Sequence, residues 1–360
     1  MTAPLNETDI LAWLREEDLT RLETLWQQAD AARREHVGDA VQLRGLIEIS
    51  NHCVRQCAYC GLRAGNRSLP RYRMEADEIF EAARQALAFG YGTVVLQAGE
   101  DYSFRSEWLA RVIHGIKSQT PLAVTLSLGE RSKEDLALWR EAGADRYLLR
   151  FETSNRQLFD QIHPGILGQP ADRMALLHLL KELGYEVGSG IMIGIPGQTY
   201  ESVARDIALF RELDLDMIGI GPFIPHPETP LGSRKLRPEP VDGVQIPGTE
   251  MVVYKAMALT RLVRPDANIP STSALATINK QNGRELGLCR GGNVVMPNLT
   301  PVRYRRLYQI YPAKACIDET GDVCNGCLTM RITSIGRHAG RGPGGRKRKD
   351  PDLKPCLPPP

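Results

Sequence analysis

Eight short apolar runs recur through this chain, each separated from the next by a longer stretch with helical spacing. They are "LRGLIEIS" (43–50), "TVVLQAG" (93–99), "AVTLSLG" (123–129), "RYLLRFE" (146–152), "VGSGIMIG" (187–194), "MIGIGPF" (217–223), "NIPSTSA" (268–274) and "NVVMP" (293–297). Strand-length runs alternating with amphipathic segments predict parallel strands joined by helical crossovers. An open doubly wound sheet and a closed barrel both satisfy that pattern. Polar residues recur at the C-terminal end of the runs, and a barrel gathers all those ends at one mouth. The expected fold is therefore α/β: a (β/α)8 TIM-type barrel with N-terminal helices and a C-terminal extension.

The boundaries follow from composition. Residues 1–38 are charged and helical in pattern, and predict two short helices covering one end of the fold. The barrel spans 39–300, a further segment 301–335, and a basic tail 336–360, "GRHAGRGPGGRKRKDPDLKPCLPPP", expected to be flexible. With 360 residues and 42% hydrophobic content, the chain can bury one such core without a second domain. Net charge is +2, from 45 basic and 43 acidic residues, so no global field favours nucleic acid or an anionic membrane. The tail has no aromatic residues interleaved for base stacking. The N-terminus shows no basic stretch followed by an apolar run, and no segment is apolar for long enough to cross a bilayer. A cytoplasmic protein with reduced thiols is expected, in which clustered cysteines point to metal rather than disulfides.

Three of the eight cysteines, Cys53, Cys57 and Cys60, crowd into "NHCVRQCAYCGLRAGN" (51–66), directly after the first strand. Structural zinc takes four ligands, usually as two separated pairs. Iron–sulfur clusters of the [4Fe–4S] type are also normally held by four thiolates, so three leave one iron free to bind a small chelating molecule. A polar, arginine-containing loop does not resemble core packing. Tyr59, just before the third cysteine, offers a ring suited to packing against an adenine.

This loop, placed after the first strand of a barrel, resembles the radical S-adenosylmethionine (SAM) superfamily. The resemblance implies that Cys53, Cys57 and Cys60 hold a [4Fe–4S] cluster whose unique iron binds the amine and carboxylate of SAM. Reductive cleavage then gives methionine and a 5′-deoxyadenosyl radical. "QAGED" (97–101) resembles the superfamily's Gly-Gly-Glu turn, which assigns Gln97, Ala98, Gly99 and Glu100 to the cofactor's ammonium end. Alternation along the fourth strand puts Arg150 and Glu152 on one face. A carboxylate there suits the ribose hydroxyls or the ammonium, Arg173 suits the carboxylate of SAM, and Met217 is assigned to the same pocket.

Further segments, "GIGPFIPHPETPL", "NIPSTSA" and "LYQIYPAKACI" among them, are similar to the HydE family of [FeFe]-hydrogenase maturases, from about residue 40 to 348. The biotin synthase-like branch of the superfamily contains this family. The resemblance implies a substrate made of an iron–cysteine complex with CO and cyanide. Companion maturases would donate it and accept its product, and reduced ferredoxin or flavodoxin would supply the electron. Expected substrate-facing residues are Arg44, Thr125, Arg150, Thr272, Ser273 and Met296, with Tyr308 closing the cavity and Tyr311 packing in a lid. Arg150 and Tyr308 join the three cysteines as candidate catalytic residues. The second trio, Cys316-x7-Cys324-x2-Cys327, matches an auxiliary site for a [2Fe–2S] or [4Fe–4S] cluster. Cys289 reads as structural and Cys356 as adventitious.

Three rivals differ in what they need. Biotin synthase requires cysteines inside the barrel, and strands two to six contain none. A lysine mutase of pyrrolysine biosynthesis shares the "GPFIPHPETPL" style but is not expected to carry the second trio. A non-catalytic Fe–S carrier has no use for Glu152, Arg173 and a polar barrel interior.

Overall fold

Strand β1 (Ala40–Ser50) already contains the logic of the architecture. Val41, Leu43, Ile47 and Ile49 are buried in the main apolar core, alongside Ile79, Ala82 and Ala86 of the helix Ala76–Ala88. The alternate residues Arg44, Leu46 and Glu48 line an interior cavity. Period-two alternation thus separates a greasy outer layer from a polar lumen.

The computed structural model describes residues 5–166, 172–240 and 243–346. After β1 come β2 (Thr93–Ala98), β3 (Ala123–Ser127), β4 (Arg146–Leu148), β5 (Glu186–Ile193), β6 (Met217–Pro222), β7 (Val294–Val295) and β8 (His338–Ala339). The first seven form a curled parallel sheet in the order β6-β5-β4-β3-β2-β1-β7, and β8 pairs with the start of β1. The ring closes between β6 and β7 through isolated parallel bridges, Met217 with Asn268 and Pro270 with Val294. Helices Ala76–Ala88, Ser106–Gln119, Lys133–Glu141, Arg173–Glu182, Tyr200–Glu212 and Glu250–Val263 provide the crossovers. Their starts are specified locally. Ser132, Thr199 and Thr249 each cap a helix by accepting a backbone N–H three residues on.

The barrel expectation holds, with differences in detail. The run 268–274 is not a full strand: Thr272 is the N-cap of a short helix, Ser273–Ile278. β4 ends at Leu148, and Glu152 returns to the sheet only as a bridge to Ile191, at φ 64°. The N-terminal helices are Glu7–Arg15 and Leu19–Val37, the second 19 residues long rather than short. They pack on Tyr200–Glu212 and Glu250–Val263, burying Ile10, Leu14, Leu22 and Leu25. Each such side chain stabilises by about 1.5–3 kcal/mol.

Most of the basic tail's first half is bound rather than free. Arg337 is buried and donates to the carbonyls of Leu288 (3.0 Å) and Gly292 (2.8 Å). The Pro343 carbonyl accepts from Thr93 (2.8 Å) and Arg146 (3.0 Å), and the Gly344 carbonyl accepts from Arg44 (3.1 Å) and Asn268 (3.2 Å). Arg346 pairs with Asp214, Asp216 and Asp266. Thr93 and Arg146 begin β2 and β4, Asp216 directly precedes β6, and β8 pairs with the start of β1, so residues 337–346 floor the barrel. Charge composition missed this because the arginines meet carboxylates and carbonyls distant in sequence. Cys356 and residues 347–360 lie outside the described residues.

Candidate active site

The cysteine loop leaves β1 at Ser50 and is fastened on three sides. Val54 N–H donates to the Glu100 carbonyl (3.0 Å), Ala58 N–H to Ile162 (2.7 Å), and Gly61 N–H to Ile310 (3.0 Å). Arg71 reaches across the loop to the carbonyls of Leu62 (2.8 Å), Arg63 (2.9 Å) and Asn66 (3.1 Å). Two glycines permit the fit. A Cβ at Gly99 would sit 2.2 Å from the His52 carbonyl oxygen and 2.7 Å from Cys53 Cβ, so the "QAGED" turn lies directly against the first cysteine. A Cβ at Gly61 would meet the Gln309 carbonyl oxygen at 2.1 Å. Asp101 locks the turn by accepting from Ser50 (2.7 Å) and Arg73 (2.6 Å).

Cys53, Cys57 and Cys60 are all free thiols, Cys57 buried and the other two half-buried. Burial raises all three; Cys60, which also faces the charge of Cys53, is pushed up to about 12. They become thiolates only with a cation to hold the charge. One zinc would gather its thiolates to about 3.8 Å from one another, given Zn–S bonds near 2.3 Å. Among the described residues, groups with ligand atoms all within 4.8 Å are Cys316–Glu319–Cys324 and Glu100–Glu130–His163, and the first trio is not one of them. Its wider spread suits a cubane, in which each thiolate takes a different iron.

Behind Cys57 lies a buried charged network that sequence reading did not find. His163 Nδ1 is 3.0 Å from Cys57 Sγ. Its Nε2 lies 3.0 Å from Arg173 Nη2 and 3.2 Å from Glu130 Oε1. Arg173 Nε donates to Glu130 (3.0 Å), and Arg55 bridges Glu100 (2.5 Å) and Glu130 (2.8 Å). Burial favours the neutral acid at Glu130, but the charges of Arg173 and Arg55 outweigh it and hold the carboxyl below its usual range. Burial, followed by the charge of Arg173, lowers His163 to about 4, so its ring is neutral at pH 7. No local pattern marks His163 or Glu130; Cys57 and His163 are 106 positions apart.

A cavity of about 300 Å³ runs beneath the loop, with Tyr59 and Cys60 at its upper end. Of the expected residues, Arg44, Gln97, Thr125, Arg150, Glu152 and Met296 line it, as do Thr272 and Ser273 despite their altered backbone setting. Four polar atoms in its wall are buried without a hydrogen-bond partner: Arg44 Nε, Thr125 Oγ1, Arg150 Nε and Glu152 Oε2. Arg150 and Glu152 form an ion pair at 3.1 Å beyond the end of β4, and its angles leave that carboxylate oxygen without a hydrogen bond. Such unpaired groups cost stability unless a ligand meets them. Glu152 also holds a strained left-handed backbone, a feature that clusters at ligand sites. The cavity therefore fits a polar guest with both anionic and cationic parts, such as SAM with an anionic partner.

Several assignments change. Met217 stands at the floor, its sulfur accepting from Arg44 at 2.7 Å. It is five residues below the mouth end of β6, roughly 17 Å at strand rise, and lines the same cavity as Tyr59 and Cys60. Tyr308 is buried at 1% exposure behind the wall, bonded to Gln97 at 3.2 Å, and Tyr311 lines the cavity in its place. The turn between them, expected to seat Tyr308 inward, instead packs on Gly61. Glu100 and Arg173 face the network behind Cys57 rather than open space. Sequence reading missed the buried pair Glu48–Lys314, whose members both line the cavity. Lys314 occurs within "LYQIYPAKACI", a segment noted for its resemblance but not for its lysine.

The second trio lies apart, in a separate recess of about 390 Å³. Cys316 and Cys324 come together with Glu319, while Cys327 lines the same recess outside that tight group. Their contact lets one thiol ionise ahead of the other: the hydrogen bond from Cys316 brings Cys324 down to about 7. Cys289, read as structural, is exposed at the end of the helix Gly283–Cys289.

A parallel barrel with a three-thiol loop at its mouth defines a class, and the Radical SAM superfamily model matches residues 47–210. The chain is 47% identical to the [FeFe] hydrogenase maturase subunit HydE of Thermotoga maritima, over 91% of this chain and 89% of that one. It is 28% identical to 3-methylornithine synthase of Methanosarcina acetivorans, over 81% and 79% of the two chains. The crystal structure of methylornithine synthase (PylB) shares the fold, with a TM-score of 0.78, 24% identity and coverage of 94% and 95%. The chain belongs to the HydE family of radical SAM enzymes. No described helix is long and apolar enough to cross a membrane.

Proposed function

We propose that this protein acts in the maturation of [FeFe]-hydrogenase, using SAM and a [4Fe–4S] cluster at Cys53, Cys57 and Cys60 on an iron–cysteine complex bearing CO and cyanide. One observation carries the reading. Tyr59 and Cys60 open onto the same cavity whose walls present buried atoms of Glu152, Arg150, Thr125 and Arg44 that lack a hydrogen bond. Together, cluster and SAM supply radical chemistry by one-electron reductive cleavage.

The chain's own residues bind and shield. Glu152 Oε2 accepts from the ribose hydroxyls or the ammonium of SAM, while Tyr59 packs on its adenine. Arg44, which burial and then the charge of Arg146 lower to about 9 yet leave cationic at neutral pH, holds an anion at the floor with Thr125. Thr272, Ser273 and Met296 shape the side wall, and Tyr311 takes the closing role. The enclosed lumen keeps water from reactive species. An auxiliary [2Fe–2S] or [4Fe–4S] cluster at Cys316, Cys324 and Cys327 is peripheral to this chemistry. Companion maturases donate the substrate and accept the product in the cytoplasm, with reduced ferredoxin or flavodoxin as electron donor.

The test is anaerobic reconstitution followed by SAM cleavage. The reduced cluster's EPR signal should change when SAM is added, and replacing Cys53, Cys57 and Cys60 with Ala should abolish both signal and cleavage. A triple variant that still cleaves SAM overturns the reading. A reconstituted protein that holds clusters but never cleaves SAM would instead be a carrier.

A further inference from the structure

His163 follows the helix Arg156–Ile162 and is 1% exposed, wedged between Cys57 and the ion pair of Glu130 with Arg173. We propose that His163 is a positioning residue of the cluster: its Nδ1–H donates a hydrogen bond to the Cys57 sulfur and raises the cluster's reduction potential. The inference rests on reading Cys57 as a cluster ligand.

The direction of the bond follows from what each neighbour can do. A guanidinium has donors and no acceptor. Arg173 Nη2, 3.0 Å from His163 Nε2, therefore needs a lone pair there, which puts the ring proton on Nδ1. The opposite tautomer would set an N–H against an Arg N–H and leave a bare nitrogen facing the sulfur. Glu130 does not need the proton, because Arg173 and Arg55 both donate to it, at 3.0 and 2.8 Å. Nδ1 then points a donor at Cys57 Sγ from 3.0 Å. A thiolate on iron can only accept. Hydrogen bonds to cluster sulfurs are among the factors that set Fe–S potentials. A donor at the sulfur favours the reduced, more negative cluster, which lowers the demand on the electron donor. A further ring contact, Phe159 at 5.0 Å between centroids, holds the imidazole plane. The carboxylates and guanidiniums around the ring (Glu100, Glu130, Arg55 and Arg173) balance in number, so the dipole of the N–H acts largely unopposed.

The experiment compares the full-length reconstituted protein with His163→Asn and His163→Leu by EPR-monitored reductive titration. Asn can place an amide N–H where Nδ1 stands; Leu cannot. The Leu variant should shift the one-electron equilibrium toward the oxidised cluster by about tenfold, or about 59 mV, and Asn should restore most of that. Wild-type protein labelled with 15N-histidine should show a hyperfine coupling between the reduced cluster and one histidine nitrogen, absent in His163→Asn. Should the Leu variant lose its cluster altogether, the labelled wild type and the Asn variant decide. An unlabelled-like spectrum from the labelled wild type, or an unchanged potential in a cluster-bearing Leu variant, overturns the proposal while leaving the cluster assignment standing. If wild type assembles no SAM-responsive cluster, the cluster reading and this proposal fall together.

Discussion

Lys314 and Glu48, 266 positions apart in the chain, form a buried ion pair in the cavity wall. The other oxygen of Glu48 accepts from Asn298 at 2.9 Å. The pair ties the segment after the ring closure to strand β1. Removing one partner of a buried pair strands a charge, at a cost of about 3–5 kcal/mol. Lys314→Met should therefore lower stability by about that amount in denaturant unfolding, and adding Glu48→Gln should recover much of the loss. A single variant as stable as wild type would mean that the pair is hydrated and energetically idle.

Glu152→Gln should weaken SAM binding without removing the cluster. Its Oε2 is buried and without a hydrogen bond, and losing a charge-assisted bond costs about 1.5–3 kcal/mol, or tenfold or more in affinity. Arg173→Ala should behave differently, since Arg173 is already bonded to Glu130, His163 and the Arg150 carbonyl. It should reduce thermal stability as well as affinity. Unchanged SAM affinity in the reconstituted Glu152→Gln protein would place the pocket elsewhere.

The two cysteine trios should not be equivalent. Cys60 lines the barrel cavity, whereas Cys316, Cys324 and Cys327 line a separate recess. Replacing the second trio with Ser should remove any auxiliary Fe–S absorption yet leave SAM cleavage largely intact, and hydrogenase activation in a reconstituted maturation assay mostly unaffected. A folded triple variant that keeps its first cluster but loses all turnover would make the second site catalytic.

Stability should also carry a pH signature from Asp206, which is fully buried and accepts from Ser154 N–H at 2.6 Å. Burial raises its carboxyl from 3.8 to about 7, against the hydrogen bonds from Ser154 and Thr153. A folded-state value above the unfolded one means stability present below about pH 4 and lost as pH rises toward 7. Each unit of difference is worth about 1.4 kcal/mol. Asp206→Asn should therefore flatten the stability profile between pH 4 and 7 and leave the variant more stable than wild type at pH 8. Parallel profiles for the two proteins would show that Asp206 ionises freely.

What the sequence by itself determined was everything written in local periodicity and spacing. Strand and helix alternation specified a parallel sheet covered by helices on its outer face, and the polar residues at the C-terminal ends of the runs favoured closing it into a barrel. The C-x3-C-x2-C spacing put three free cysteines on one polar loop directly after β1. Alternation along β1 and β3 turned Arg44 and Thr125 toward the lumen, whereas Arg150 meets Glu152 beyond the end of β4. Only the tertiary structure decided which of two tyrosines three positions apart faces the cavity, since a turn rather than a strand carries Tyr308 and Tyr311. It also decided that Met217 belongs to the floor, and that residues 337–346 of a tail that looks unstructured by composition close it. The buried partnerships of His163 with Cys57, and of Lys314 with Glu48, join residues more than a hundred positions apart. Their energy comes from desolvation and charge pairing that exist only once the ring has closed, so no stretch of sequence contains a trace of them.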